Sequence, residues 1–212
     1  MSFIYWLFRR KNYEIKIVLA TLAVLISLPI ISVVVFASSG LALVGSALAN
    51  LNPVTHLVEI FEPNGHKVAE VKLSTVWPAQ GYISDEFGAH EAFRLELGLG
   101  PHTGIDIADN RGKISGDPIT PFMEGKVIAV HDKDDNTCGK HVELQHQYNI
   151  TSLYCHMSEP QAIVEEDVKP GDVIGLSGQT GVATGPHVHF QVMVYGIAVN
   201  PRIFMVGDPE PY

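Results

Sequence analysis

After Trp77 the chain is a succession of short runs of alternating apolar and polar residues, separated by Gly, Pro, Asn and Asp, with almost no helical periodicity. Side chains on a strand alternate between its two faces, so each run buries one side and pairs with neighbours close in sequence. The pattern predicts a mainly β domain built on an antiparallel β-sheet. Only residues 91–97 carry a helical pattern, and that stretch is short. Upstream, two alternating runs flank Asn64-Gly65, a dipeptide suited to the positive φ angles of a tight hairpin turn. A structural ribbon is the expected role of that hairpin, with a docking or regulatory element as the alternative.

Chemistry concentrates in three glycine-punctuated segments: His102-Thr-Gly-Ile-Asp106, Tyr154-Cys155-His156 and His187-Val188-His189. Residues 185–194 alternate cleanly, which puts His187 and His189 on one face of a strand and Val188 on the other. Two imidazoles at i and i+2 cannot reach one ion through the same geometry. One ligand and one neighbouring acid/base group is the natural division. His102 falls at a junction between loop and strand, with Asp106 in the strand. Any one of the ten histidines, taken alone, is more readily a surface or hydrogen-bonded core residue than a ligand.

Taken together and in order, these segments are distinctive. Phe87-Gly88, residues 102–108, Gly125-Lys-Val127, residues 153–157, Lys169-Pro-Gly-Asp-Val-Ile-Gly175, Ser177-Gly-Gln-Thr-Gly181 and residues 184–190 follow the series of the lysostaphin/LytM-type zinc metallopeptidases. The chain resembles that family from about Trp77 to Phe204. The resemblance implies a metallopeptidase domain over residues 77–212 that cuts peptide bonds in bacterial peptidoglycan. It implies one Zn2+ held by His102, Asp106 and His189, with His156 and His187 as the catalytic pair. Three protein ligands leave a position open for water, as a catalytic zinc requires, whereas a structural zinc is closed by four. Two departures stand out. The family's Phe-Gly-x-Arg is here Phe87-Gly88-Ala89-His90, and residues 110–118 are longer than the usual turn. Neither touches one of the five positions. Because some members of the family have lost ligands and act without catalysis, the alternative is an exported wall-binding or activator module. Such a module would serve an envelope-spanning machine for conjugation, secretion or phage penetration.

The N-terminus bears on location. Ile17 to Phe36 is an uncharged run of twenty residues, long enough to span a bilayer. Arg9, Arg10, Lys11 and Lys16 precede it with only Glu14 opposing, so residues 1–16 are expected in the cytoplasm and the remainder across the membrane. The expected organisation is a basic tail (1–16), a transmembrane signal anchor (17–37), a stalk with the β-hairpin (38–76) and the peptidase domain (77–212). A cleaved signal peptide is the competing reading, since Ala47-Leu-Ala49 has the small-x-small form of a cleavage site. The apolar stretch is longer than a typical signal core, which favours the anchor. On either reading the domain is exported.

Beyond residue 37 there are 22 acidic and 10 basic residues, a balance that argues against nucleic acid as a partner. The two cysteines, Cys138 and Cys155, read as a disulfide in an oxidising compartment, because residues 140–145 and 151–155 look like paired strands of a hairpin. Two unpaired buried thiols are the alternative.

Overall fold

The computed structural model describes residues 45–89, 94, 96–109 and 116–211. The expected cytoplasmic tail and membrane span, and most of the short helix expected over 91–97, lie outside them. Among the described residues no helix is long and apolar enough to cross a membrane.

Strands β1 (Ala49–Leu51), β2 (Val58–Phe61) and β3 (Lys67–Val71) form a small antiparallel sheet. The turn between β2 and β3 closes where Gly65 adopts φ 86° and its N–H donates to Glu62 O at 2.8 Å. Asn64 Oδ1 accepts from His66 N at 2.8 Å and holds the far side of the turn. This sheet is not free-standing. Leu48, Ala49, Val58 and Ile60 belong to the same buried cluster as Val127, Phe190 and Phe204.

The chain continues through β4 (Tyr82–Asp85), β5 (Ile105–Ala108), β6 (Pro118–Ile119), β7 (Gly125–His131), β8 (Lys140–Gln145), β9 (Ile150–Met157), β10 (Glu159–Pro160), β11 (Asp167–Val168), β12 (Gly175–Leu176), β13 (His187–Val194) and β14 (Ile197–Val199). The main sheet runs β11-β7-β8-β9-β13-β5-β4, with β14 also paired to β13. Strands β10, β12 and β6 make a third, short sheet. Among the described residues every strand pairing is antiparallel.

Strand β13 organises the domain. Val188, Phe190, Val192 and Val194 point into the core, where Phe190 packs 5.3 Å from the Phe122 ring and 5.5 Å from the Tyr154 ring. Aromatic contacts at such separations add to the burial of the rings. The opposite face carries His187, His189 and Gln191. Register does the rest: His189 stands opposite Asp106 of β5 on one side and Cys155 of β9 on the other. A slip of one residue would turn both histidines into the hydrophobic core, so burial of the valine face fixes the site.

Candidate metal centre

His102 Nε2, Asp106 Oδ1 and His189 Nδ1 converge on one point. His102 Nε2 lies 3.0 Å from Asp106 Oδ1 and 2.9 Å from His189 Nδ1, and the latter two are 2.9 Å apart. Hydrogen bonds cannot satisfy such a triangle. The carboxylate only accepts, each ring nitrogen carries at most one proton, and the two nitrogens facing each other need one donor between them. A cation accepting all three lone pairs does satisfy it. Donors about 2.0–2.2 Å from a tetrahedral ion stand about 3.3–3.6 Å apart, so the three atoms need move only a few tenths of an ångström. Among the described residues this is the group of His, Cys, Asp and Glu side chains that meets the geometry of a metal site.

Local structure orients each donor. His102 is fully buried, and its Nδ1 faces Glu86 O at 3.0 Å and Asp85 Oδ2 at 3.2 Å. A carbonyl oxygen only accepts, so Nδ1 carries the proton and Nε2 presents its lone pair to the centre. His189 Nε2 points toward Gln191 Oε1 at 3.5 Å, and Thr103 Oγ1 donates to the same oxygen at 2.6 Å. Gly104 lets the segment bearing His102 lie against β13. A methyl group there would stand 2.5 Å from Phe190 O and 2.9 Å from the His189 ring.

Burial works to raise the Asp106 carboxyl, but the adjoining His102 and His189 imidazoles hold it far below the ordinary carboxylate range. For His102, burial works against the charged form and is outweighed by Asp106, so the imidazole is raised overall. The carboxylate is thus ionised at neutral pH, in the state a hard or borderline cation needs.

His156 and His187 flank the triangle. Their rings lie 4.6 Å apart, and His187 Nε2 is 3.6 Å from Asp106 Oδ2. Neither contributes to the triangle. His156 Nδ1 donates to Thr180 O at 2.7 Å and His187 Nδ1 to Gly185 O at 2.8 Å. Both rings therefore keep Nε2 out of these backbone hydrogen bonds, and that of His187 faces Asp106 Oδ2. Burial, reinforced by neighbouring His187, pushes His156 down to about 4, so it is neutral at pH 7. Its backbone is left-handed, with φ 62°, a conformation that costs a non-glycine residue about 1–3 kcal/mol and persists only where its surroundings impose it.

The structure thus gathers all five residues singled out from the sequence. It adds Gln191, Asp85, and the carbonyls of Glu86, Thr180 and Gly185, none of which sequence reasoning named. Gln191 had a signal, since it lies two residues beyond His189 on the same strand face. A fifth histidine is buried elsewhere. His146 donates from Nδ1 to Glu124 O at 2.8 Å, and its Nε2 meets Ser152 Oγ at 2.7 Å. Burial pushes it down to about 4, and both nitrogens are used, so it is a core residue. A cleft of ≈ 770 Å³ lined by Lys126, His146, Asp167 and Lys169 contains none of the five residues.

Residues 100–201 match the model of peptidase family M23. The chain carries a peptidase family M23 domain. A peptidoglycan DD-endopeptidase of Vibrio cholerae, ShyA, is 31% identical to it over 118 residues, 56% of this chain and 26% of that protein. The crystal structure of a zinc-containing peptidase from Vibrio cholerae superposes with a TM-score of 0.54 at 25% identity, covering 76% of this chain and 47% of that one. The SpoIIQ–SpoIIIAH pore-forming complex contains a chain similar at a TM-score of 0.54 and 25% identity, covering 66% of this chain and 94% of that one. This chain spans about a quarter of the length of curated relatives such as ShyA. The M23 match begins just before His102 and ends just after β14, so it contains the whole histidine cluster.

Proposed function

We propose that this chain is a membrane-anchored zinc endopeptidase that hydrolyses peptide bonds in peptidoglycan stem peptides or cross-bridges. The convergence of His102, Asp106 and His189, with His156 and His187 beside them, carries the reading. The triangle would hold one Zn2+, which when bound supplies a Lewis acid that acidifies water and polarises a carbonyl. The chain's own groups do the rest. Glu86 O fixes the His102 tautomer, and Asp106 stays ionised between two imidazoles. The Nε2 atoms of His156 and His187 share the proton work: the unprotonated one takes a proton from the attacking water, and the other, carrying a proton on Nε2, hydrogen-bonds the developing oxyanion or gives that proton to the departing amine.

Likeness to ShyA supports peptidoglycan as the substrate. The uncharged run from Ile17 to Phe36 with basic residues before it supports an inner or cytoplasmic membrane location, N-terminus inside and catalytic domain on the wall side. Retention of the anchor is supported by Ala49, the last residue of the small-x-small motif. It is buried in β1 opposite Ile60, so a cut after it would sever a packed strand.

A second reading, a module of an envelope-spanning assembly that binds without cutting, draws on the likeness to the SpoIIQ–SpoIIIAH complex. Full occupancy of the five positions favours hydrolysis. Incubating the zinc-loaded protein with purified sacculi is expected to release new amino termini, and mass spectrometry of the products identifies the bond. Zinc bound at one per chain with no new termini from any sacculus type tested would favour the binding module.

A further inference from the structure

The loop between β7 and β8 is bound to His156 from two directions. On one side the Cys138–Cys155 disulfide ties it to β9, with 5.0 Å between the Cα atoms, and His156 N donates to Cys138 O at 2.9 Å. On the other side it holds residues 180–182. Val182 N donates to Thr137 O at 2.9 Å, and Gly181 N donates to Asp134 Oδ1. Gly139 and Gly181 touch so closely that a methyl on either would fall 2.5 Å from the other's backbone nitrogen. Thr180 then closes the circuit: its hydroxyl donates to Met157 O at 2.8 Å, and its carbonyl accepts the Nδ1 proton of His156 at 2.7 Å. The same loop therefore contacts the backbone of His156 and the segment that orients its ring.

We propose that residues 134–139, stapled to β9 by the disulfide, are a clamp that positions His156. In it, Asp134 and the Cys138–Cys155 bridge act as positioning groups and touch no substrate. The inference rests on the hydrolase reading for His156's role. The left-handed backbone at this residue requires enforcement from outside the strand, and the clamp supplies it. Without the staple, the peptide bond donating to Cys138 O loses its fixed partner. Without Asp134, residues 180–182 lose a hold on the side away from β9, and Thr180 O is free to drift from the ring.

The test uses the full chain with zinc bound, as wild type, as Asp134→Ala and as Cys138→Ser/Cys155→Ser. Three quantities are read: zinc per chain, kcat and KM on a sacculus-derived muropeptide, and the His156 tautomer by long-range 15N–1H imidazole spectra. Both variants are expected to keep one zinc per chain and KM within about twofold, while kcat falls about tenfold or more, the range seen when a supporting contact is lost. The His156 spectrum is expected to change from the Nδ1-protonated form to a tautomer mixture, with His102 and His189 unchanged. Asp134→Asn, whose side-chain oxygen still accepts from Gly181 N, is expected to restore most of kcat. An unaltered His156 spectrum with unaltered kcat overturns the clamp, as does loss of zinc in parallel with kcat. If the double-serine chain does not fold, the Asp134 pair decides alone. A wild type that cleaves nothing while its His156 tautomer responds to Asp134→Ala would sink the hydrolase reading and leave the clamp standing.

Discussion

Replacing His156 with alanine is expected to lower turnover by about 10²–10⁴-fold, the usual contribution of a positioned acid or base, while zinc stays bound at one per chain. His187→Ala is expected to behave alike. Their Nε2 atoms are not part of the triangle, so the donor set survives their loss. His189→Ala is expected to lose both metal and turnover, because it removes one of the three donors. The split is read by measuring metal content and hydrolysis on the same purified samples. A folded His156→Ala chain without zinc would exchange the roles assigned to these histidines.

The second large effect concerns two glycines that look alike in the sequence, each beside a key histidine. Gly104→Ala forces a methyl to within 2.5 Å of Phe190 O and 2.9 Å of the His189 ring. The carbonyl belongs to the β13 backbone and cannot swing away, so the strain falls on the β5–β13 approach. A loss of about 1–3 kcal/mol in stability is expected, as for other overpacked sites. Zinc affinity is expected to fall about 10–100-fold through displaced His189, as when a ligand's supporting contacts are disturbed. Gly185→Ala is the control. Nothing lies within 4 Å of a methyl there, and its change in stability is expected to stay within about 0.5 kcal/mol. Thermal melts and competitive zinc titration of the two variants check this contrast; equal behaviour would mean that Gly104 is not packed as described.

How far residues alone reveal such a site depends on the range of the interactions. The face shared by His187 and His189 was legible because strand alternation is local, and so was the hairpin at Asn64-Gly65, where positive φ selects the turn. The main-sheet order was not. It places Asp106 opposite His189 across 83 residues of sequence, and that register is set by buried Val188 and Phe190 finding the core. The order of the family-like segments suggested which side chains meet, but no periodicity within any segment does so. Pairing of β1 with β2 was also hidden, since Ala49-Asn-Leu51 is too short to show a pattern and reads equally as part of a cleavage signal. The need for glycine at 104, 139 and 181 arises only from chain segments distant in sequence. Carbonyl partners such as Glu86 O and Thr180 O are invisible to residue type, because every residue has one. The same limit applies to His146: composition offers ten histidines, and hydrogen-bond partners, not spacing, separate this core residue from the five-residue site.

The central claim is that His102, Asp106 and His189 hold one catalytic zinc ion. Crystals grown with zinc, measured on both sides of the zinc absorption edge, test it directly. The expected result is a single strong anomalous peak in bonding contact with His102 Nε2, Asp106 Oδ1 and His189 Nδ1, with a further position open toward His156 and His187. A peak ligated by other side chains, or no peak from protein that binds zinc in solution, would contradict it.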